Sequence, residues 1–246
     1  MGQTADHHRR DIMDLINIVM PVYNEGENIQ NTFVEIKGKI KTPFRIFIVY
    51  DFDEDNTLPV AKALQSEYNV YFLKNKYGKG VLNAIKTGIQ SVEDGAILVS
   101  MADLSDDYSV VDEMFEKVKS GFDLVCGSRY MKGGKQLGGP IFKGMLSRMA
   151  GLSLHFLTGI PTHDISNSFK MYTPQVIKSV QIESNGGFEL GMEIVVKAYI
   201  AGFKITEVPS VWKDRSAGQS RFKLWEWLPH YLRWYFYVLG HRKERR

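Results

Sequence analysis

Ile16-Asn17-Ile18-Val19-Met20-Pro21-Val22-Tyr23-Asn24-Glu25 passes abruptly from an apolar run to a polar turn. The same change recurs twice further on. Arg45-Ile46-Phe47-Ile48-Val49 stops at Tyr50-Asp51-Phe52-Asp53-Glu54-Asp55-Asn56-Thr57, and Ala96-Ile97-Leu98-Val99-Ser100 stops at Met101-Ala102-Asp103-Leu104-Ser105-Asp106-Asp107. Short apolar runs bounded by turn residues read as buried strands. In an open parallel sheet the ligand crevice lies outside the carboxyl ends of the strands, so the three acidic ends are expected to meet at one site. The pattern points to an enzyme that handles a nucleotide.

Between and beyond these strands the pattern alternates helix and strand, the signature of crossover connections. A helix is expected over 25–41, with Ile29, Phe33, Ile36 and Ile40 on one face, closed by Thr42-Pro43. A helix through 60–64 and a strand at 70–73 follow, and the glycine turn Gly78-Lys79-Gly80 opens another helix with Val81, Ala84, Ile85 and Ile89 inward. Next come a helix near 110–119, a strand at 123–127, a glycine-rich loop at 133–140 and a long helix at 141–157. A helix at 189–201 and a strand at 204–208 complete the series. The expected fold is α/β, a Rossmann-like α/β/α sandwich with a mainly parallel sheet. Residues 1–14 read as a disordered extension, 15–221 as one domain, and 222–246 as an amphipathic, aromatic-rich segment with a basic tail.

With 246 residues and 44% hydrophobic content the chain can bury a large core. A net charge of +3 is too weak to argue for nucleic acid. The single Cys126 forms no internal disulfide and favours a reducing compartment, and no secretory signal is visible, so a cytoplasmic location is expected. A bilayer span needs about 20 mostly apolar residues, and the C-terminal segment is broken by Glu226, Pro229 and Arg233. Its Trp and Tyr residues suit the membrane interface, so a peripheral position on the cytosolic membrane face is expected. The competing reading is a helix packed on the protein's own core or in a homo-oligomer.

The residues so far, together with Gly127-Ser128-Arg129-Tyr130, the stretch from Asp164 to Tyr172, Glu193, Glu207-Val208-Pro209 and Gly218-Gln219-Ser220-Arg221, resemble family 2 inverting glycosyltransferases of the GT-A fold. Within that family the chain is most similar to the dolichol-phosphate mannose synthase and polyprenyl-phosphate hexosyltransferase branch. The resemblance runs from about residue 17 to 223. It implies transfer, with inversion, of a hexose-type sugar from a nucleotide-sugar donor to an acceptor, preferably a polyprenyl phosphate. It also implies a divalent cation, Mg²⁺ or Mn²⁺. The alternatives are transfer to a saccharide hydroxyl in surface-polysaccharide synthesis and a non-catalytic nucleotide-sugar-binding subunit.

By that resemblance Pro21, Tyr23, Glu25, Asp51 and Asp53 line the base and ribose pocket and Lys79 approaches the donor. Displacing a nucleoside diphosphate builds negative charge on the leaving pyrophosphate, and Asp103 is the natural ligand for a stabilising metal. Met101 stands where the family's first metal-site Asp is usual, which weakens that site, and Tyr50 replaces the first of an acidic pair. Asp106 and Asp107 read as a solvated helix N-terminus. A lipid-phosphate acceptor is already anionic and needs positioning cations, for which Arg129, Lys143, Arg215 and Arg221 are the candidates. A saccharide hydroxyl needs a base, with Asp164 first and Glu193 second. His155 and His163 lack metal-ligand spacing and read as packing or surface residues.

Overall fold

The computed structural model describes residues 14–214 and 224–241. Arg215 and Arg221, residues 1–13 of the extension expected over 1–14, and residues 242–246 of the basic tail lie outside the described residues. In chain order the elements begin with β1 (Ile16–Pro21), α1 (Ile29–Lys39), β2 (Phe44–Tyr50), α2 (Thr57–Ala63), α3 (Gln65–Tyr68), β3 (Val70–Lys74), α4 (Val81–Gln90) and β4 (Ala96–Val99). A short 3₁₀ turn at Tyr108–Val110 leads into α5 (Val111–Lys119), followed by β5 (Leu124–Ser128), β6 (Lys135–Leu137), α6 (Ile141–Thr158) and β7 (Lys170–Tyr172). The chain continues through α7 (Pro174–Ser179), α8 (Leu190–Ile200), β8 (Ile205–Pro209), β9 (Val211–Lys213) and α9 (Leu224–Gly240).

Seven strands form one sheet in the order β3-β2-β1-β4-β7-β5-β8. All neighbours are parallel except β7, which runs antiparallel to both β4 and β5. The mainly parallel sandwich expected from the sequence is therefore the observed one. Every residue of β1 is buried, as a central parallel strand covered on both faces requires. Its one polar member, Asn17, donates to the Asp94 and Ala96 carbonyls at 2.6 and 3.1 Å and accepts from Arg45 Nε, so its burial leaves no amide unsatisfied.

Alternation along the strands separates two cores. Ile18, Met20, Ile46, Ile48 and Leu98 face α1, α2 and α5, whereas Val19, Val49, Ile97, Val99 and Cys126 face α4, α7, α8 and α9. Gly88 lets α4 lie directly on β1, because a Cβ there would fall 2.2 Å from Val19 Cγ1. Burial of each large aliphatic side chain contributes about 1.5–3 kcal/mol.

Two expectations change. Part of the glycine-rich stretch at 133–140 is β6, which pairs in parallel with β9 in a separate two-stranded sheet. The C-terminal segment does not stand apart from the domain either: α9 inserts Trp234 and Val238 into the same core as α4 and α8. No described helix is long and apolar enough to cross a membrane.

Candidate active site

The carboxyl ends of β1, β2 and β4 lie side by side, since β1 pairs with both of the others. Three groups of side chains are built on or beside them. The first comes from the loops after β1 and β2, which are bound to each other. Asn24 N donates to Asp55 Oδ2 at 3.0 Å, Glu25 N to Thr57 Oγ1 at 2.9 Å and Gly26 N to Asn56 Oδ1 at 2.9 Å. Asn24 takes φ +56°, a conformation that Asn tolerates better than most residues. Asp55, buried, also accepts from Thr57 N at 2.9 Å, so it shapes both loops. Sequence reading passed over it as one acid among several; its signal was the Asp-x-Thr spacing ahead of a helix.

Around this frame the structure gathers Tyr23, Asp51 and Lys79. Asp51 accepts from Asn75 Nδ2 at 2.8 Å and from Gly80 N at 2.9 Å, which brings the 75–80 turn to the end of β2. Gly80 takes φ +120°, an angle that Gly adopts freely. Lys79 Nζ then lies 5.9 Å from the centre of the Phe52 ring, whose other neighbour is the exposed ring of Tyr23 at 5.3 Å, edge to face. Pro21 is the buried end of β1, and Glu25 accepts from Asn28 Nδ2 at 2.8 Å. Asp53 departs from its expected role. It turns outward to Lys74 at 2.5 Å, an ion pair with both side chains more than half exposed, and does not join the group. Tyr50 packs against the core.

The second group follows β4. Asp103 is buried and accepts from Ser105 N at 3.2 Å across Leu104, which takes φ +62°. Met101, in the place of a usual carboxylate, packs against the core. Asp106 was expected to be solvated but points inward, accepting from Ser100 Oγ and Met101 N, each at 2.9 Å. Burial, reinforced by the nearby Asp103 charge, outweighs those hydrogen bonds and pushes its carboxyl up to about 7. Asp107 does act as a cap, accepting from Ser109 N at 3.1 Å, and its second oxygen accepts from Val211 N at 3.2 Å. Among the described residues no three His, Cys, Asp or Glu side chains form a ready-made metal cage. The donors present, Asp103 and Asp106, are hard oxygen ligands of the kind that hold Mg²⁺ or Mn²⁺ when substrate phosphates complete the shell.

The third group joins β5, α6 and the turn before β7. Arg129 Nε donates to Asp164 Oδ2 at 2.6 Å and its Nη2 to Asp164 Oδ1 at 2.9 Å, while Nη2 also reaches Ser147 Oγ at 3.0 Å. The Arg129 amide adds a further bond to Asp164 at 3.0 Å. Burial opposes both charges, but the guanidinium and carboxylate outweigh it for each other, so Arg129 is held above its usual value and Asp164 below its own. This pairing bears on two expected roles. Asp164 is wholly buried and held as a carboxylate by Arg129, so it is not poised to take a proton from an acceptor. The Nε–Nη2 edge of Arg129 is engaged, so the fork expected to clamp a phosphate instead braces α6 against the 164–166 turn.

Glu193, the second base candidate, is also wholly buried, accepting from Glu183 N at 2.6 Å and Ser184 N at 2.9 Å and pairing with Lys197 at 2.8 Å. Lys143 is half-buried in the first turn of α6, one residue from Gly144, whose carbonyl accepts from Tyr130 Oη at 3.3 Å. His155 and His163 stack with ring centres 4.1 Å apart; His163 Nδ1 meets Glu207, and His155 Nδ1 meets the Ile160 carbonyl at 2.7 Å.

Comparison with known proteins gives this geometry a context. The family described as Glycosyl transferase family 2 matches residues 17–180. A dolichol-phosphate mannosyltransferase of Pyrococcus furiosus is 30% identical over 89% of this chain, which spans 63% of that relative's length. A polyprenol monophosphomannose synthase of Mycolicibacterium smegmatis is 27% identical over 85% of each chain. Among solved structures, glucosyl-3-phosphoglycerate synthase from Mycobacterium tuberculosis with Mn²⁺, UDP and glucosyl-3-phosphoglycerate aligns at a TM-score of 0.64 and 13% identity, covering 94% of this chain and 80% of that one. The same enzyme with Mg²⁺ and UDP aligns at 0.66 and 14%, covering 98% and 82%. At such identities the likeness is one of fold.

Proposed function

The chain belongs to Glycosyl transferase family 2, and on that premise we propose that it transfers a hexose-type sugar, with inversion, from a nucleoside-diphosphate donor to a polyprenyl phosphate at the cytosolic membrane face. The nucleobase end of the donor lies against Tyr23, Phe52 and Asp51, with Lys79 beside them. Asp103, backed by Asp106, holds a divalent cation, which when bound supplies positive charge for the leaving pyrophosphate. An acceptor phosphate oxygen attacks the anomeric carbon as the bond to the diphosphate breaks, the incoming and leaving groups lying on opposite sides. Lys143 is the described candidate for holding the acceptor phosphate; Arg215 and Arg221, outside the described residues, are the further candidates.

The observation that carries the acceptor class is the state of the two candidate bases. Asp164 and Glu193 are both wholly buried and bound by cations and backbone amides. A saccharide hydroxyl would need one of them to remove its proton, whereas a phosphate oxygen is already anionic near neutral pH. The named relatives of this chain, a dolichol-phosphate mannosyltransferase and a polyprenol monophosphomannose synthase, support the same reading.

The test begins with thermal shifts against UDP, GDP, CDP and dTDP sugars with Mn²⁺ or Mg²⁺, because a ligand of the folded state raises its melting point. Transfer of the stabilising donor to a short-chain polyprenyl phosphate is then followed by mass spectrometry. Asp103→Ala should lower turnover by about 100-fold or more without changing the melting temperature of the unliganded protein. Full activity in excess chelator would remove the metal from the scheme, and an active Asp103→Ala enzyme would remove Asp103. Transfer only to saccharide hydroxyls would replace the acceptor.

A further inference from the structure

Lys170 opens β7 with its side chain wholly buried, alone among the described lysines. Its strand partners are Val99 of β4 and Cys126 of β5, and residues directly opposite across an antiparallel pair share a face, so the ammonium enters the apolar core that those two residues line. An ammonium carries three donors. Among the described residues Lys170 Nζ makes one hydrogen bond, to the Ile165 carbonyl at 3.2 Å, and has no ion-pair partner. A Cβ at Gly191 would lie 3.6 Å from Nζ, so the charge also sits against the first turn of α8, the positive end of that helix. Burial accordingly holds Lys170 below its ordinary value, against the opposing Asp164 charge.

Such a group weakens the fold. One carbonyl does not offset the desolvation of a buried charge, and a methionine of similar length would suit the surroundings of Val99 and Cys126. The placement of Lys170 points to another use. Because β7 runs antiparallel to β4 and β5, its first residue lies at their carboxyl ends, beside the candidate site. The Ile165 carbonyl that Lys170 holds lies between Asp164, which binds Arg129, and Ser166, whose Oγ accepts from Arg129 Nη2 at 3.3 Å and meets Ser147 Oγ. Ser147 stands on α6 one turn after Lys143, on the same side of the helix. A continuous chain of contacts thus runs from Lys170 through the 164–166 turn to Arg129, Ser147 and the part of α6 that carries Lys143.

We infer that Lys170 is a positioning residue for the acceptor side: from within the core it fixes the 164–166 turn, through which Arg129 and Ser147 set the first turns of α6. It touches no substrate, being wholly enclosed, and acts through Ile165 alone. A buried charge kept at a cost to stability is the kind of residue that gathers at functional sites. The inference deepens the lipid-acceptor reading, on which its purpose rests, but its direct test uses neither donor nor acceptor.

That test follows the Arg129 Nε–H signal in proton–nitrogen correlation spectra of the whole protein, assigned by its loss in Arg129→Lys. Wild-type protein should keep this proton protected, because it is donated to the buried Asp164. Lys170→Met should speed its exchange with water by about tenfold or more, since the turn then opens more readily. The same variant should melt at or above the wild-type temperature, as a buried charge gives way to an apolar side chain. With a polyprenyl phosphate acceptor its acceptor KM should rise about tenfold while the donor KM stays as in the wild type. Met171→Ala, a cavity on the opposite face of the same strand, should lower the melting temperature and leave the Arg129 signal and both KM values unchanged. Unchanged Arg129 exchange in Lys170→Met overturns the inference. So does a Lys170→Met protein that fails to fold or melts well below the wild type, since Lys170 would then be structural, and so does an equal rise in both KM values or an equal effect of Met171→Ala on the Arg129 signal. If exchange speeds but the wild type glycosylates no polyprenyl phosphate, the proposed function fails and the positioning stands; transfer by the wild type with unchanged exchange in the variant gives the reverse.

Discussion

Asp106 and Asp164 are carboxylates only a short distance apart in chemistry, yet their surroundings push them in opposite directions. Asp106 is lifted to about 7, chiefly by burial. Its unfolded value lies near about 3.9, so the native state binds the proton more tightly. The stabilisation from that proton is complete below about pH 4, declines as pH rises through about 7 and is then lost. Asp106→Asn removes this dependence while keeping an acceptor for Ser100 and Met101. In metal-free buffer, thermal melts between about pH 5 and about pH 8 should show the wild type losing stability relative to the variant. A constant difference over that range would mean that Asp106 is ionised throughout. Asp164 has the reverse state, an anion fixed by Arg129. Asp164→Asn strands a buried guanidinium and should cost about 3–5 kcal/mol in urea denaturation, of which Arg129→Met/Asp164→Leu should recover a large part. A cost below about 1 kcal/mol would show that the pair does not brace α6.

At the scale of elements, α9 and α6 differ in how fully each commits to the core. Trp234 is buried, donates from Nε1 to Ser184 Oγ at 2.9 Å and lies among residues of α8 and β5. Trp234→Ala should therefore cost about 3–5 kcal/mol, whereas Phe236→Ala, two residues on and exposed, should stay within about 0.5 kcal/mol. Equal melting temperatures for the two variants would contradict the packing of α9. The composition of this helix announced an amphipathic segment, but aromatic residues suit a membrane interface and a protein core alike. Which face is buried depends on α8 and α6, whose partners no local pattern names. The position of α6 was legible as the segment after the glycine-rich loop, expected at 141–157 and observed at Ile141–Thr158; that Ile141, Met145, Met149, Leu152 and Phe156 face outward was not, because a pattern alone does not say which side meets the core.

Across the whole molecule, the parallel order and the meeting of three strand ends follow from the long apolar runs of β1, β2 and β4, which carry strong signals. The strands that went unread are the three-residue β6, β7 and β9, too short for period-two alternation. Asp107 illustrates the same limit, since the amide it accepts from belongs to Val211, 104 residues away. The positions of Tyr23, Asp51 and Asp103 were legible from the strand ends and that of Lys79 from the glycine turn that opens α4, whereas the outward turn of Asp53 depends on Lys74, and the burial of Asp164 on how β5 and the turn before β7 are brought together. β7 also governs the order in which the sheet can be completed during synthesis. β4 and β5 do not pair with each other; each bonds to β7. As the ribosome delivers the chain, β1 to β4 can assemble early, but the far side of β4 keeps an unpaired edge while α5, β5, β6 and α6 emerge, and unpaired edges invite association with other chains. The nascent protein thus passes through a stage in which the proposed nucleotide side, at the ends of β1, β2 and β4, has a scaffold and the proposed acceptor side, at the end of β5, does not, and Lys170–Tyr172 ends that stage.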